Sequence, residues 1–473
     1  MFSRRTILAT ACALGALLAA NRADALPFNA GDLVVSVVGN TDGSRPTDNQ
    51  ASPIQLLELT TTGAVVGSML LPQSASGANY AISGEYGSSS EGLLHRSADG
   101  HSLVIAGYGI NAATFNAGGK AVYGDARLAQ TTSVPGGTVP AVARVIANID
   151  AHSQVDTSTA LFNAFNLNNP RSVATVDGTS FYVAGQGASK TDTATQGVFY
   201  VKDGTTSTAP THITGQSDFR SVSIQNGTVY ASRDVNAAGG VQYTEIDRFA
   251  TAQPTGPSTP TALSGIGPSI NLTAASMNGV NDSRGTGNSA YLSPQDFVLL
   301  TDPATGIQYA YIADTGNPKN GNVGKAAVGV GGLQKWALVN GVWTFQYDIY
   351  AGLPLVPNFS GSTAATTGTT GLIGLTGMMI NGQAYFYATN STLADLDQTF
   401  VFSVTDPLAQ TTRGAAAGSD FFSTIYTAAP GTNVRGVAFA PVPEPASMLL
   451  LGTGLAVAAL RRRPRRSPAL SIG

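Results

Sequence analysis

Three stretches of the chain share one pattern, in which a short strand-like run, a DG or NG pair and an aromatic-rich run follow one another without gaps. They are RSVATVDGTSFYVA (171–184), RSVSIQNGTVYAS (220–232) and LTGMMINGQAYFYA (375–388). Asp-Gly and Asn-Gly pairs are favoured in tight hairpin turns, because these turns need positive φ angles. Each stretch therefore predicts a β-hairpin, and their recurrence predicts an architecture of repeated hairpins.

Looser copies of the pattern occur at 93–107 and, with a longer turn, at 296–316. The closing segment RGVAFAP (435–441) matches only the first half of the pattern. We expect residues 31–40 to supply the missing partner strand. Pairing the first and last strands in one sheet is how a β-propeller closes its ring and avoids exposed sheet edges.

The expected fold class is therefore all-β, a β-propeller of about six or seven blades covering residues 26–440, since blades recur every ~40 to 50 residues. A pair of β-sandwiches and a right-handed β-helix are the alternatives. The segments YIADTGN (311–317) and GLQKW (332–336) resemble one repeat of the NHL-type propellers, interrupted by a Gly/Asn-rich insertion at 318–331. This resemblance implies the same propeller architecture.

Residues 1–25 have the order of a secretory signal peptide. The paired Arg4 and Arg5 precede an apolar run, and Ala23 and Ala25 fit the small-x-small cleavage pattern. Both general secretion and twin-arginine export fit this segment. The single cysteine, Cys12, lies inside the segment, so the mature chain is expected to hold no thiol.

The last residues, 441–473, combine a Pro-Glu-Pro motif, an apolar run at 446–460 and an arginine cluster. The apolar run is a marginal membrane segment, because a full span needs about 20 residues. This order closely resembles the PEP-CTERM sorting signal of Gram-negative bacteria that make extracellular polysaccharide. The resemblance implies recognition and cutting by an exosortase in the inner membrane, after transient anchoring there. The residues that carry it are Pro443, Glu444, Pro445, Arg461, Arg462 and Arg463.

Without these two signals, the body carries 17 Lys and Arg against 26 Asp and Glu, a net charge of −9. This acidic balance argues against nucleic acid as a partner, because nucleic-acid binding needs a basic face. The sequence contains no nucleophile elbow, HExxH, P-loop or EF-hand motif, so it predicts no catalytic residue and no cofactor. His95 and His101 flank one turn and are at most half of a metal site, so no metal is predicted.

Three arginines, Arg171, Arg220 and Arg435, occupy the same position of three repeats. If that strand lines the ring, the guanidinium groups converge near the central channel and form a candidate site for a carboxylate or sulfate of an acidic polysaccharide. The structural alternative is that each arginine pairs with an acid of a blade turn, such as Asp177 or Asp218.

The sequence therefore predicts an exported protein of the cell surface or biofilm matrix. Its expected partners are the export machinery, an exosortase, the inner membrane transiently, and exopolysaccharide or other proteins. A secreted propeller hydrolase or lyase acting on polysaccharide is the alternative, because the catalytic groups of a propeller come from different blades and leave no linear motif.

Overall fold

The computed structural model describes residues 27–40, 42–236, 242–266, 271–272, 290–316, 331–356, 367–411 and 419–444. Over these residues the protein is all-β, with predominantly antiparallel strands in several sheets and a single helix. The predicted all-β class is confirmed. The predicted signal peptide and the tail beyond residue 444 lie outside the described residues.

The strands of the first half of the chain are β1 (Leu33–Gly39), β2 (Ala51–Leu59), β3 (Val65–Leu70), β4 (Ser83–Glu85), β5 (His95–Arg96), β6 (Ser102–Tyr108), β7 (Arg144–Asp150), β8 (Val155–Leu161), β9 (Pro170–Thr175), β10 (Ser180–Gly185), β11 (Gly197–Lys202), β12 (Thr206–Ser207), β13 (Thr211–Thr214) and β14 (Phe219–Gln225). Those of the second half are β15 (Thr228–Asn236), β16 (Gln242–Phe249), β17 (Pro260–Ala262), β18 (Asn271–Leu272), β19 (Ala290–Tyr291), β20 (Pro294–Thr301), β21 (Gln308–Asp314), β22 (Gly332–Val339), β23 (Val342–Ile349), β24 (Thr369–Ile380), β25 (Gln383–Thr392), β26 (Phe400–Pro407), β27 (Ser423–Thr427) and β28 (Thr432–Phe439).

The five predicted hairpins are present as the pairs β5–β6, β9–β10, β14–β15, β20–β21 and β24–β25. At the Asn226-Gly227 and Asn381-Gly382 turns both residues have positive φ, as a two-residue turn requires. At Asp177-Gly178 only the glycine does. The two Asn-Gly pairs therefore form the predicted type of turn, with positive φ at both residues. The Asp177-Gly178 pair closes its hairpin with another type of turn.

Four sheets each contain four antiparallel strands that follow one another along the chain. Their orders are β9-β10-β11-β13, β14-β15-β16-β17, β20-β21-β22-β23 and β24-β25-β26-β27. Each sheet thus begins with the first strand of one predicted hairpin, so the repeated pattern marks the start of a structural unit.

A short two-stranded sheet pairs β18 with β19, and a ten-stranded sheet joins the two ends of the body. Strand β1 pairs antiparallel with β2 on one side and with β28 on the other, where Leu33 lies opposite Phe439. The prediction that residues 31–40 complete the unit begun by 435–441 is confirmed. Strands β5 to β8 continue this sheet, connected to β2 through β4.

The first strands of these units contact one another in a closed cycle, in the order β28, β5, β9, β14, β20, β24 and back to β28. Small residues allow this close approach. A side chain at Gly436 would place its Cβ only 2.1 Å from the backbone nitrogen of Leu94, and one at Gly374 would lie 2.6 Å from the carbonyl oxygen of Arg435. The glycines in these strands therefore keep the ring narrow.

The resemblance to an NHL-type repeat stays a prediction. Strand β21 ends at Asp314 and β22 begins at Gly332, so both halves of the motif are strands that pair with each other. Residues 317–330, which make up most of the predicted insertion, lie outside the described residues.

One helix, α1 (Ala112–Tyr123), was not predicted. The Asn111 side chain accepts a hydrogen bond from the nitrogen of Thr114 and caps its start, while Gly124 ends it in a left-handed conformation. Its sequence is a weak helix former, because it contains two glycines and the chain is non-helical at Gly119. Tertiary packing of the fully buried Phe115 holds it in place. The described part of the chain contains no helix of the length and apolar character that a membrane span needs.

Candidate binding site at the centre of the ring

An ion pair crosses the centre of the ring. Nε2 of His95, on β5, lies 3.3 Å from Oδ2 of Asp296, on β20, which is opposite β5 in the cycle. Nδ1 of His95 lies 2.8 Å from the carbonyl oxygen of Val173. Both of these oxygens are acceptors, and this arrangement favours the doubly protonated, positively charged imidazole. Burial opposes this charge, yet Asp296 and the Val173 carbonyl raise the pKa of His95 above its usual value.

Asp296 also connects two further strands of the ring. The Ser221 hydroxyl on β14 donates to its Oδ1 at 2.9 Å, and the backbone nitrogen of Leu375 on β24 donates to its Oδ2 at 3.2 Å. His95 in turn contacts the carbonyl oxygen of Val173 on β9. Directly or through His95, this one carboxylate therefore links five of the inner strands, β5, β9, β14, β20 and β24. Side chains therefore close the channel at this level.

Two cavities lie at opposite ends of the same inner strands. One, of about 260 Å³, has His95 and Asp296 among its walls and is lined by later positions of the strands, such as Ser223. The other, of about 90 Å³, is lined by earlier positions, including Arg220 and Gln295. We call the second one the polar cavity, because side-chain hydroxyl, amide and charged groups dominate its walls.

The polar cavity contains groups that can bind a hydroxylated or carboxylated ligand. Its charged residues are Arg220, Asp234 and Asp395, and Gln295 adds an amide. The Nε2 atom of Gln295 and the Nε atom of Arg220 are buried and have no hydrogen-bond partner among the described residues. Buried donors are normally paired, so these two are suited to a ligand or water oxygen.

Asp234 is coupled to a second buried carboxyl group through Ser293. The Ser293 hydroxyl donates to Oδ2 of Asp234 at 2.6 Å, and the Ser293 backbone nitrogen donates to Oδ1 of Asp314 at 3.3 Å. Burial raises the pKa of Asp314 to about 7. A carboxyl group that is partly protonated at neutral pH thus lies behind the wall of the polar cavity.

The structure brings two of the three predicted arginines together. Arg171 Nη1 and Arg220 Nη2 lie 2.9 and 2.8 Å from the same atom, Oδ1 of Asp218. Both arginines are buried. Burial, and to a smaller extent the positive charge of Arg220, lowers the pKa of Arg171 to about 10. Arg171 and Arg220 therefore pair with Asp218, as the alternative interpretation of the sequence expected. Arg220 also lines the polar cavity.

Arg435 lies apart from that pair. Its electrostatic partners are Asp395 and Glu91, followed by Tyr86 and Asp48. Asp395 also lines the polar cavity, so Arg435 stands beside another part of the same wall. Asp177, the other acid considered for pairing, accepts hydrogen bonds from Thr179 instead.

The two histidines considered for a metal do not face each other. His95 takes part in the central ion pair, whereas Nδ1 of His101 lies 2.7 Å from the carbonyl oxygen of Val442. Across the described ranges, no group of three His, Cys, Asp or Glu side chains is arranged to hold a metal ion.

The start of the predicted sorting signal is accessible. The backbone nitrogen of Val442 donates to the carbonyl oxygen of Gly100, and this contact fixes the end of the body. Pro443 and Glu444, which follow directly, are exposed. Pro445 and the arginines Arg461, Arg462 and Arg463 lie outside the described residues.

Comparison with known proteins identifies the tail. The model of the PEP-CTERM protein-sorting motif matches residues 441–463. This motif implies an exported protein that is anchored transiently in the membrane and processed by an exosortase. No curated protein matches the chain.

Among solved structures, a chain of a nidogen/laminin complex is similar at 10% identity, with a TM-score of 0.39, and the match covers 87% of this chain and all of that one. A Bombyx mori GH32 β-fructofuranosidase is 10% identical, with a TM-score of 0.32 and coverage of 67% and 62%. A GH43 protein from Bacillus licheniformis is 9% identical, with a TM-score of 0.32 and coverage of 78% and 60%.

Sequence reasoning missed most of the polar cavity. Gln295 of the polar cavity and its neighbour Asp296 of the central ion pair lie at the start of a predicted hairpin, but the pattern gives no reason to select them. Asp234 lies in β15, two residues beyond the repeated stretch 220–232, and Asp395 follows β25. The only available signal was that these residues lie near the beginning of an inner strand or near the end of the strand that pairs with it.

Proposed function

We propose that this protein is an exported six-bladed β-propeller that binds extracellular polysaccharide in the polar cavity and reaches the cell surface or matrix after exosortase processing. The closed cycle of six inner strands and the four-stranded units support the blade number. The observation that carries the binding function is the polar cavity with its unpaired buried donors on Gln295 and Arg220.

The size of the polar cavity limits what can enter it to part of one sugar ring. About 90 Å³ equals the volume of roughly three water molecules, at about 30 Å³ each. The edge of a terminal or branching sugar fits this space, whereas an internal chain segment needs a longer groove. Arg220 is the predicted arginine that reaches this cavity, and Arg171 positions it by sharing Asp218.

We expect the substitution Gln295→Met to weaken binding of the producing cell's own exopolysaccharide about tenfold, equivalent to ~1.4 kcal/mol. The change removes the unpaired amide donor and nearly preserves side-chain length, so it tests a hydrogen bond to the ligand. Binding is measured by titrating fluorescently labelled polysaccharide with the purified protein.

The matched control is Gln253→Met, at an exposed turn where the amide only donates to the Gly227 carbonyl oxygen. This variant should bind like the unmodified protein. Equal affinity of Gln295→Met and the control for the polysaccharide would remove the polar cavity from the proposal. Arginine variants are weaker probes, because the buried Arg171 and Arg220 share the partly buried carboxylate of Asp218, so loss of either arginine also affects stability.

The alternative function, polysaccharide hydrolysis or cleavage, is favoured by one observation. Asp314, with a pKa of about 7, and Asp234 approach each other through Ser293 beside the cavity. A general acid with a pKa near the working pH and a second carboxyl group nearby are what glycoside hydrolysis needs. Release of new reducing or unsaturated ends by the unmodified protein, and its loss in Asp314→Asn, would establish this function in place of simple binding.

Replacing Pro443, Glu444 and Pro445 together with alanine is expected to leave the chain uncut and retained in the inner membrane. The exposed position of Pro443 and Glu444 immediately after the anchored Val442 makes the motif available to a processing enzyme. Cell fractionation and the mass of the released protein measure the result. Release of the variant at the normal rate and mass would show that a plain tail anchor suffices.

A further inference from the structure

A third cavity, of about 420 Å³, has no wall on the six inner strands. We call it the outer cavity. Its walls are β2, β3, the segment that leads into β1 and the turn between β7 and β8, with Leu56, Met69, Phe28 and Ser153 as examples. The backbone nitrogen of Phe28 donates to the carbonyl oxygen of Ala151 and fixes the leading segment against that turn. Ligand sites usually have about 300–1,000 Å³, so this volume is sufficient for one.

The outer cavity contains a buried carboxylate without a counter-ion. Glu58, on β2, is 6% exposed and lines the cavity. Its Oε1 accepts a hydrogen bond from the backbone nitrogen of Asn29, whereas its Oε2 has no partner among the described residues. Buried carboxylates are normally paired with a cation or with several donors. Oε2 of Glu58 is therefore suited to a donor that comes from outside.

Gly67 allows this oxygen to reach the edge of the sheet. Gly67, on β3, lies directly opposite Glu58 in the β2–β3 pair. A Cβ atom on Gly67 would lie 2.9 Å from Oε2 of Glu58. The absence of a side chain thus leaves the space in which the carboxylate lies over β3.

The rim of the outer cavity is apolar and exposed. In the described part of the chain β3 pairs only with β2, so no described strand covers its other edge. Val65, Val66 and Leu70 on this strand are exposed, and Val66 also lines the cavity. Exposed apolar side chains along an unpaired strand edge are typical of a surface that contacts another protein.

The walls of the outer cavity select the chemical group that fits it. Leu56, Phe28 and Met69 offer apolar contacts, and Glu58 is the one charged residue among the described residues of the walls. A lysine side chain has the same division, with an aliphatic stem and an ammonium group that donates up to three hydrogen bonds. The net charge of −9 on the body also attracts a basic partner and repels an acidic one.

We propose that β3 and the outer cavity form a docking surface for a basic segment of a partner protein, whose lysine side chain enters the cavity and pairs with Glu58. This surface shares no residue with the polar cavity. The inference therefore does not depend on the proposed polysaccharide binding.

The test follows the methionine methyl signals of the purified protein by NMR during titration with two capped pentapeptides. One has a central lysine between valines, and the other has norleucine there, which keeps the aliphatic stem but lacks the ammonium group. The lysine peptide is expected to shift the Met69 signal and to bind at least tenfold more tightly than the norleucine peptide. The signal of Met379, in a different core cluster, should not move. Added salt should reduce the difference between the peptides, because it screens the ion pair.

Two variants change the carboxylate. Glu58→Gln keeps an acceptor for the Asn29 nitrogen but removes the charge, so the lysine peptide should bind it at least tenfold more weakly, like the norleucine peptide. Gly67→Ala adds a Cβ atom that displaces Oε2 of Glu58, so it should weaken the lysine peptide as well. This second variant keeps the test decisive if Glu58→Gln fails to fold.

A further pair of variants tests the rim. Val66→Ser removes an exposed apolar side chain beside the cavity and should weaken both peptides. The matched control is Val342→Ser, which changes a valine that is 46% exposed on the outer strand β23. The control should bind both peptides like the unmodified protein.

Three results would show that Glu58 only holds Asn29 and that the inference is wrong: no shift of the Met69 signal, equal affinity for the two peptides, or unchanged binding of the lysine peptide by Glu58→Gln. If free hexylamine binds as tightly as the lysine peptide and Val66→Ser has no effect, the cavity takes a small amine and the protein partner is wrong. None of these results affects polysaccharide binding, which Gln295→Met tests separately.

Discussion

Deletion of residues 31–40 is expected to abolish the folded monomer. All seven residues of β1 are buried, and the strand pairs with β2 on one side and β28 on the other. Burial of its five large apolar side chains contributes on the order of 10 kcal/mol, at about 1.5–3 kcal/mol each, which is comparable to the whole stability of a typical domain. The deletion also exposes two sheet edges, which are templates for aggregation. Size-exclusion chromatography and thermal unfolding measure the effect.

A pair of point variants gives the matched control for this deletion. Val35→Asp places a charge in β1 at a fully buried position, whereas Val66→Asp places one in the edge strand β3 at a position that is 48% exposed. The first should lower the melting temperature sharply or prevent folding, and the second should change it little. A deletion variant that stays monomeric with an unchanged melting temperature would mean that β1 does not close the ring.

The substitution Lys335→Met is expected to destabilise the protein by about 3–5 kcal/mol, because it leaves a buried carboxylate without its counter-ion. Lys335 and Asp406 are both fully buried, with Nζ 2.9 Å from Oδ2. The hydroxyls of Tyr311 and Tyr347 also donate to Asp406. Since Lys335 lies on β22 and Asp406 on β26, this cluster joins two neighbouring sheets. Chemical denaturation monitored by tryptophan fluorescence measures the loss.

An exposed ion pair provides the comparison. Arg127 and Asp125 lie 2.9 Å apart, but the arginine side chain is 56% exposed, so Arg127→Met should cost no more than about 1 kcal/mol. The double variant Lys335→Met with Asp406→Leu should recover part of the single-variant loss, because it removes the uncompensated charge. A cost for Lys335→Met as small as that for Arg127→Met would show that the buried cluster does not stabilise the joint between the sheets.

The parts of this protein that the sequence predicted are those encoded by neighbouring residues. Asn226-Gly227 and Asn381-Gly382 specify their turns directly, since a positive φ at both positions is costly for most other pairs. Local alternation then predicts the strands on either side. The sorting motif is likewise a linear signal, and its family model matches it. Ring closure was inferable because half a repeat stood at the end of the body and a lone strand near its beginning.

The site is different, because its groups come from distant segments. His95 and Asp296 are 201 residues apart, and Lys335 and Asp406 are 71 apart in the chain. The repeats placed Arg171, Arg220 and Arg435 at equivalent positions, but equivalent positions do not imply equivalent partners. Asp218 reaches the first two arginines, whereas Arg435 faces Asp395, Glu91 and Asp48.

The sequence by itself therefore determined the β-hairpin units, their approximate extent and the C-terminal sorting motif, because turn geometry, side-chain alternation and linear recognition motifs depend on residues close together in the chain. Only the tertiary structure decided which charges are neutralised, where the channel is closed and which donors remain unpaired. Those outcomes depend on burial and on distances of a few ångströms between strands that meet only when the ring closes, and no local pattern encodes such distances.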